Sequence, residues 1–195
     1  MSITIKDKAG AAAMRLAGRL ASEVLDYLSP FVKPGITTNE IDRLAHLYMT
    51  QVQGTVPAPL GYQPPGYAPY PKSLCTSVNH VVCHGIPNDK VLKKGDIVNI
   101  DVTVIKDGWH GDTSRMFLVG DCSIAAKRLC QVTYEAMWHG IAKVRPGVRL
   151  GDAAHHLAKA TVDIGDFSRH ATGQVAEQKR SNMADIVDGD VTPDR

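Results

Sequence analysis

Asp101 and Asp112 are the residues of this chain whose type and spacing promise chemistry. They stand in VNIDVTVIKDGWHGDTSRMFLV, residues 98–119, one on either side of Asp107-Gly108. Asp-Gly between β-branched and aromatic runs is a strong hairpin signal, because both turn positions need φ > 0. With those two at the turn, Lys106 faces Trp109, Thr103 faces Asp112 and Asp101 faces Ser114. The carboxylates then lie diagonally on one face of the ribbon, roughly 7–8 Å apart at the backbone. That spacing suits two carboxylates converging on a pair of divalent ions about 3.5–4 Å apart. A register slip of one residue would send one of them to the other face. Spacing alone leaves a second reading open, two carboxylates on a solvated face. The neighbours Ile97, Val98, Ile100, Val102 and Val104 imply a strand buried on at least one side, where an unpaired carboxylate is costly.

The elements around the hairpin follow from periodicity. Met14, Ala17, Ala21, Val24, Leu25 and Leu28 form the stripe of a helix over 11–28, ended by Pro30 and Pro34-Gly35. Thr37-Thr38-Asn39-Glu40 reads as a capping box opening a second helix with Ile41, Leu44, Ala45, Tyr48 and Met49 on one stripe. A Pro/Gly/Tyr-rich loop covers about 57–71, and 74–86 reads as short strands around an Asn79-His80 turn. After the hairpin, helix is expected from Ser123 to about Val144.

The totals set bounds. A chain of 195 residues with 44% hydrophobic and 22% charged residues is one ordinary globular domain, or two. A net charge of +2 without a basic block leaves no nucleic-acid footprint. No apolar run has signal-peptide or membrane-spanning length, so neither a membrane partner nor a secretory route is expected. Cys75, Cys83, Cys122 and Cys130 lack C-x-x-C spacing, so the cytoplasm is the expected setting.

FVKPGI at 31–36 and KVRPGV at 143–148 share a pattern, each between a longer and a shorter helix, the second short one over 152–158. This suggests a duplicated helix–Pro-Gly–helix unit, although Pro-Gly is also a common helix-ending device. Strands should follow the second copy as they follow the first. Residues 163–195 instead show no alternating apolar run and read as an atypical, disordered tail. Either the tail is a native extension or a second half has been cut off or replaced after about Val162.

The stretches KPGITTNEIDRLA, YPKSLCTSVNHVVCHGIP, GDIVNIDVTVIKDGWHGDTSRMFLVG and VRPGV together resemble bacterial type I methionine aminopeptidase over roughly residues 3–162. The resemblance implies an α+β pita-bread fold, in which two repeats related by a pseudo-twofold enclose a two-metal centre. Residues 1–162 would form the N-terminal half plus the helices of the second repeat, with the second-half strands absent. It also implies that Asp101 chelates one metal and Asp112 bridges both. The ions would be Co, Mn, Fe or Zn, a choice that oxygen ligands cannot make. His84 is the counterpart of the substrate-contacting catalytic histidine, donating to the scissile amide or the tetrahedral intermediate. Taken alone, a histidine beside glycine is an ordinary loop residue. Tyr62, Tyr70 and Cys75 resemble residues lining the methionine pocket, and plain core packing is their other reading. His110 reads as a structural or supporting group.

Two departures stand out. The segment QPPGYAP, 63–69, lengthens the usual link between the two tyrosine positions and could reshape the pocket rim. Of the five metal ligands the resemblance calls for, only two are matched, and no GHGIG-type motif is present. His170, Glu177, Asp185 and Asp188 lack matching surroundings and receive no ligand role. Two carboxylates without the other three ligands should hold one metal weakly and a second hardly at all. Three functions follow. The first is removal of initiator methionine from nascent chains, by a usually monomeric enzyme near the ribosome, with this chain's own activity in doubt. The second is a non-catalytic, partner-binding half-domain. The third is an Xaa-Pro-cleaving relative, whose usual extra N-terminal domain is missing.

Overall fold

The structure, a computed structural model, describes residues 4–149 and 151. The chain divides by contacts into one unit ending at Ala126 and a second beginning at Lys127. The first unit opens with α1 (Lys8–Leu28), α2 (Thr38–Leu47) and a π-helical turn, Tyr48–Gln53. Four antiparallel strands follow: β1 (Val56–Pro57), β2 (Cys75–Val78), β3 (Ile97–Lys106) and β4 (Trp109–Leu118). Helix α3 (Ile124–Ile141) crosses into the second unit.

β3 is the central strand. β4 runs along one of its edges; β1 and β2 share the other, β1 opposite Val104 and Ile105 and β2 opposite 98–101. Strict alternation buries Val98, Ile100, Val102 and Val104 completely and turns Asn99, Asp101, Thr103 and Ile105 to the opposite face. The buried face takes the α1 stripe Ala21, Val24, Leu25 and Leu28 and the α2 residues Ile41 and Ala45. Helix α1 lies against β4 at Gly111, where a Cβ would collide with the backbone of Ala17. Only glycine permits that approach.

The Asp107-Gly108 turn has φ of 50° and 82° at its two residues, as the hairpin reading requires. The pairings Lys106–Trp109, Thr103–Asp112 and Asp101–Ser114 all hold. Several expectations shift. Helix α1 starts at Lys8, because Asp7 accepts from the Gly10 N–H at 2.7 Å and caps it. Met14, expected on the buried stripe, is 44% exposed. Thr37 caps α2 through the Glu40 N–H at 3.1 Å, but the Glu40 carboxylate pairs with Arg43 instead of reaching back. β1 occupies the start of the expected loop, and the helix expected to reach Val144 ends at Ile141. Residues 81–86 form no strand. His84, with φ of 55°, breaks the extended run, and the segment meets β2 through Thr76 N–H to Gly85 O at 2.7 Å and Val81 N–H to Val78 O at 3.2 Å. The short helix expected over 152–158 and the tail 163–195 lie outside the described residues.

Candidate metal centre

The two aspartates owe their shared face to the hairpin. Asp101 sits two register positions from the Thr103–Asp112 pair, and strand alternation points both carboxylates away from the core. Asp101 is half-buried there, while Asp112 is exposed. Burial raises the Asp101 carboxyl above its usual range. The nearby Asp112 carboxylate, close enough to share a hydrogen bond, raises it further, and His84 works in the opposite direction. Two like charges crowded on a partly dry surface are an unfavourable arrangement that a divalent cation between them would relieve. Their oxygen donors fit a hard or borderline ion as two of its ligands. Among the described residues no group of three or more His, Cys, Asp or Glu side chains completes the shell.

Beside the pair, β2 aligns Cys75 directly opposite Asp101. The Tyr70 hydroxyl, with one proton to give, has three acceptors in reach: Leu74 O at 3.1 Å, Cys75 Sγ at 3.2 Å and Gly85 O at 3.5 Å. Burial pushes the Cys75 thiol up; the Tyr70 hydrogen bond opposes this, and the charges of Asp101, Cys83 and Asp112 add to it. Burial likewise pushes the Tyr70 phenol far up, helped by its bond to Cys75 and the negative charge around it. Both groups are therefore neutral at neutral pH. Tyr70, Cys75, His84, Asp101 and Asp112 thus gather around the middle of β3. Tyr62 does not join them by its ring, which is 65% exposed; only its carbonyl is tied in, accepting from Tyr70 N–H at 2.8 Å. His110 is exposed two residues before Asp112, on the same face.

A supporting residue escaped the sequence reading. Asp42 on α2 is 8% exposed and accepts from Ser73 N at 2.8 Å and Leu74 N at 3.3 Å. Lys72 Nζ lies 4.0 Å from its other oxygen. It thereby pins the segment that places Tyr70 and Cys75. Burial raises its pKa against the pull of those donors, Lys72 and His46. The signal was present: Asp42 is spaced three and seven residues from the buried Ala45 and Met49, which puts it on the buried stripe.

A fold that sets paired carboxylates on the open face of a hairpin-centred sheet has a counterpart among known proteins. The model of metallopeptidase family M24 matches residues 12–178, and the chain belongs to that family. Among its relatives are methionine aminopeptidases. The one from Rickettsia prowazekii is 50% identical over 186 residues, 93% of this chain and 70% of the relative. The one from Escherichia coli K12 is 51% identical over 160 residues, 82% of this chain and 59% of the relative. The crystal structure of the Rickettsia prowazekii methionine aminopeptidase superposes with a TM-score of 0.77 at 55% identity, covering 82% of this chain and 62% of that one. An Xaa-Pro dipeptidase from Bacillus anthracis, TM-score 0.71 but 20% identical over 83% of this chain and 42% of its own, shares the fold alone. The fold is the α+β pita-bread fold, and the chain spans about 55% to 70% of the length of the curated relatives it matches. Membership in the family implies divalent metal ions. No helix among the described residues is long and apolar enough to cross a membrane.

Proposed function

We propose that this chain carries part of the active site of a methionine aminopeptidase, a metallohydrolase that removes the initiator methionine from nascent proteins. The observation that supports this most is the placement of Asp101 and Asp112 on one face, close enough for one carboxylate to raise the pKa of the other. These two side chains would hold the divalent metal, Co, Mn, Fe or Zn. A cation bound there supplies Lewis acidity and lowers the pKa of a bound water. The protein's own groups do the rest. His84, near Asp101, donates a hydrogen bond to the scissile amide as negative charge develops on it. Tyr70 and Cys75, both neutral, form a polarizable, uncharged wall for the methionine side chain, with Tyr62 at its rim. The setting is the cytoplasm, the substrates are chains leaving the ribosome, and the enzyme is monomeric. Relatives at about half identity that bear the methionine aminopeptidase name favour this reading over Xaa-Pro cleavage.

The test is methionine release from a Met-Gly-Met peptide by a chimera in which this chain supplies the segment it matches in the Escherichia coli relative. Turnover that needs Mn(II) or Co(II) and disappears in Asp112→Ala supports the proposal. Turnover indifferent to Asp112→Ala overturns it.

A further inference from the structure

The excursion between β1 and β2 is anchored at both ends beside the carboxylate pair. It leaves the sheet at Ala58, whose N–H donates to Thr103 O at 2.9 Å, and Thr103 is the cross-strand partner of Asp112. It returns at Cys75, the partner of Asp101. Between these anchors the backbone is well tied. Gly61 N–H donates to Tyr70 O at 2.9 Å, Tyr70 N–H to Tyr62 O at 2.8 Å, and Tyr62 N–H to Pro59 O at 3.0 Å. At the tip, Tyr67 N–H donates to Pro64 O at 3.1 Å across Pro65-Gly66, and Gly66 has φ of 82°. That is a type II turn with proline and glycine where the turn demands them. Gln63 Nε2 braces it through Tyr67 O at 3.0 Å.

An excursion so well fixed nevertheless leaves its rings in solvent. Tyr62 and Tyr67 are 65% and 71% exposed, and residues 59–70 contain no charged side chain. Preorganised, uncharged backbone bearing exposed phenol rings suits contact with a peptide, since tyrosine offers large area at low entropic cost. Tyr70 belongs to both regions: its hydroxyl meets Cys75 in the site, and its backbone closes the excursion. A peptide whose first side chain lies against Tyr70 and Cys75 therefore has the excursion as the adjoining wall for its next residues.

We infer that the excursion over 59–70 is a specificity-determining wall for the substrate residues that follow the N-terminal one, with Tyr67 as its contact side chain. The inference rests on the proposed aminopeptidase reading. It predicts a preference for uncharged, apolar residues just after the first, because nothing on the wall answers a charge.

The test measures binding rather than turnover. The full 195-residue chain, in buffer with diamagnetic Zn(II), is titrated with methioninamide and with the peptide Met-Ala-Val-Ala, and the shifts of its backbone amides are followed by NMR. The peptide should bind at least about fivefold tighter than methioninamide, the scale of one aromatic contact. Tyr67→Ala should erase that advantage and leave methioninamide binding unchanged, while Tyr67→Phe should restore it. Because the ring is exposed, the alanine variant keeps the fold, which its amide spectrum verifies. Equal affinities in the wild type, or an advantage that survives Tyr67→Ala, would overturn the inference and leave the aminopeptidase reading standing. Failure of the wild type to bind either ligand would overturn the inference, while the aminopeptidase reading is judged separately by methionine release from the chimera.

Discussion

Gly85→Ala should damage the site through backbone alone. Gly85 ties residues 83–86 to β2: its carbonyl accepts from Thr76 N–H at 2.7 Å, and its N–H donates to Ser77 Oγ at 3.2 Å. A Cβ here would run into the Thr76 carbonyl oxygen, with the carbonyl carbon at 2.9 Å and Ser77 Cα at 3.1 Å. Those atoms belong to a strand paired along its length with β3, so they cannot yield. The 83–86 segment must retreat instead, by roughly 1 Å to regain ordinary contact. Retreat weakens two hydrogen bonds by about 1 kcal/mol together, and residual overpacking adds about 1–3 kcal/mol. A loss of about 2–4 kcal/mol is expected, less than the 5–15 kcal/mol typical of a folded domain. The fold survives while His84 moves away from Asp101. Urea unfolding measures the loss, and Mn(II) affinity, set by β3 and β4, should stay within about threefold. Gly18→Ala is the control: nothing lies within 4 Å of its new Cβ in the middle of α1, and it should gain up to about 1 kcal/mol. A Gly85→Ala protein within about 0.5 kcal/mol of wild type would show that the 83–86 segment is not pinned, and the reasoning would fail.

Three further outcomes follow from the electrostatics and the ligand count. Asp101→Asn should stabilise the metal-free protein at pH 7 by about 0.5–1 kcal/mol, read from urea midpoints, because it removes a charge crowded by Asp112. The sign with pH is set by the raised pKa of Asp101: the folded state takes up its proton more readily than the unfolded chain. The advantage of Asp101→Asn should therefore be full above the folded pKa and vanish below the unfolded value of about 3.9; a constant difference across that range would contradict the assignment. The 195-residue chain on its own is expected to release no methionine from Met-Gly-Met with Mn(II) or Co(II), since the described residues supply two carboxylates and no third ligand beside them. Clear turnover, lost in Asp112→Ala, would refute that expectation.

The hairpin and its register were legible because one local feature decides them. Once Asp107-Gly108 takes positive φ at both positions, every pairing from Lys106–Trp109 to Ile97–Leu118 is determined. The placement of both carboxylates on one face follows from alternation. The α1 stripe was legible for the same kind of reason, except at Met14, which lies nearer the exposed start of the helix. What stayed hidden depended on contacts distant in sequence. The run 81–86 has the apolar composition of a strand, but His84 adopts φ of 55° and Gly85 is drawn against Thr76. Asp42 stands on the buried stripe of α2, but its partners Ser73 and Leu74 lie about thirty residues on, and no local pattern announces them. The π-helical turn Tyr48–Gln53 carries no residue that marks it in advance.

Calorimetric titration of the chain with Mn(II), run beside Asp101→Asn and Asp112→Asn, tests most directly whether the aspartates form a cation site. Wild type should bind saturably and weakly, and each asparagine variant, with its fold checked by circular dichroism, should lose at least about tenfold in affinity. Equal binding by all three proteins would contradict the account.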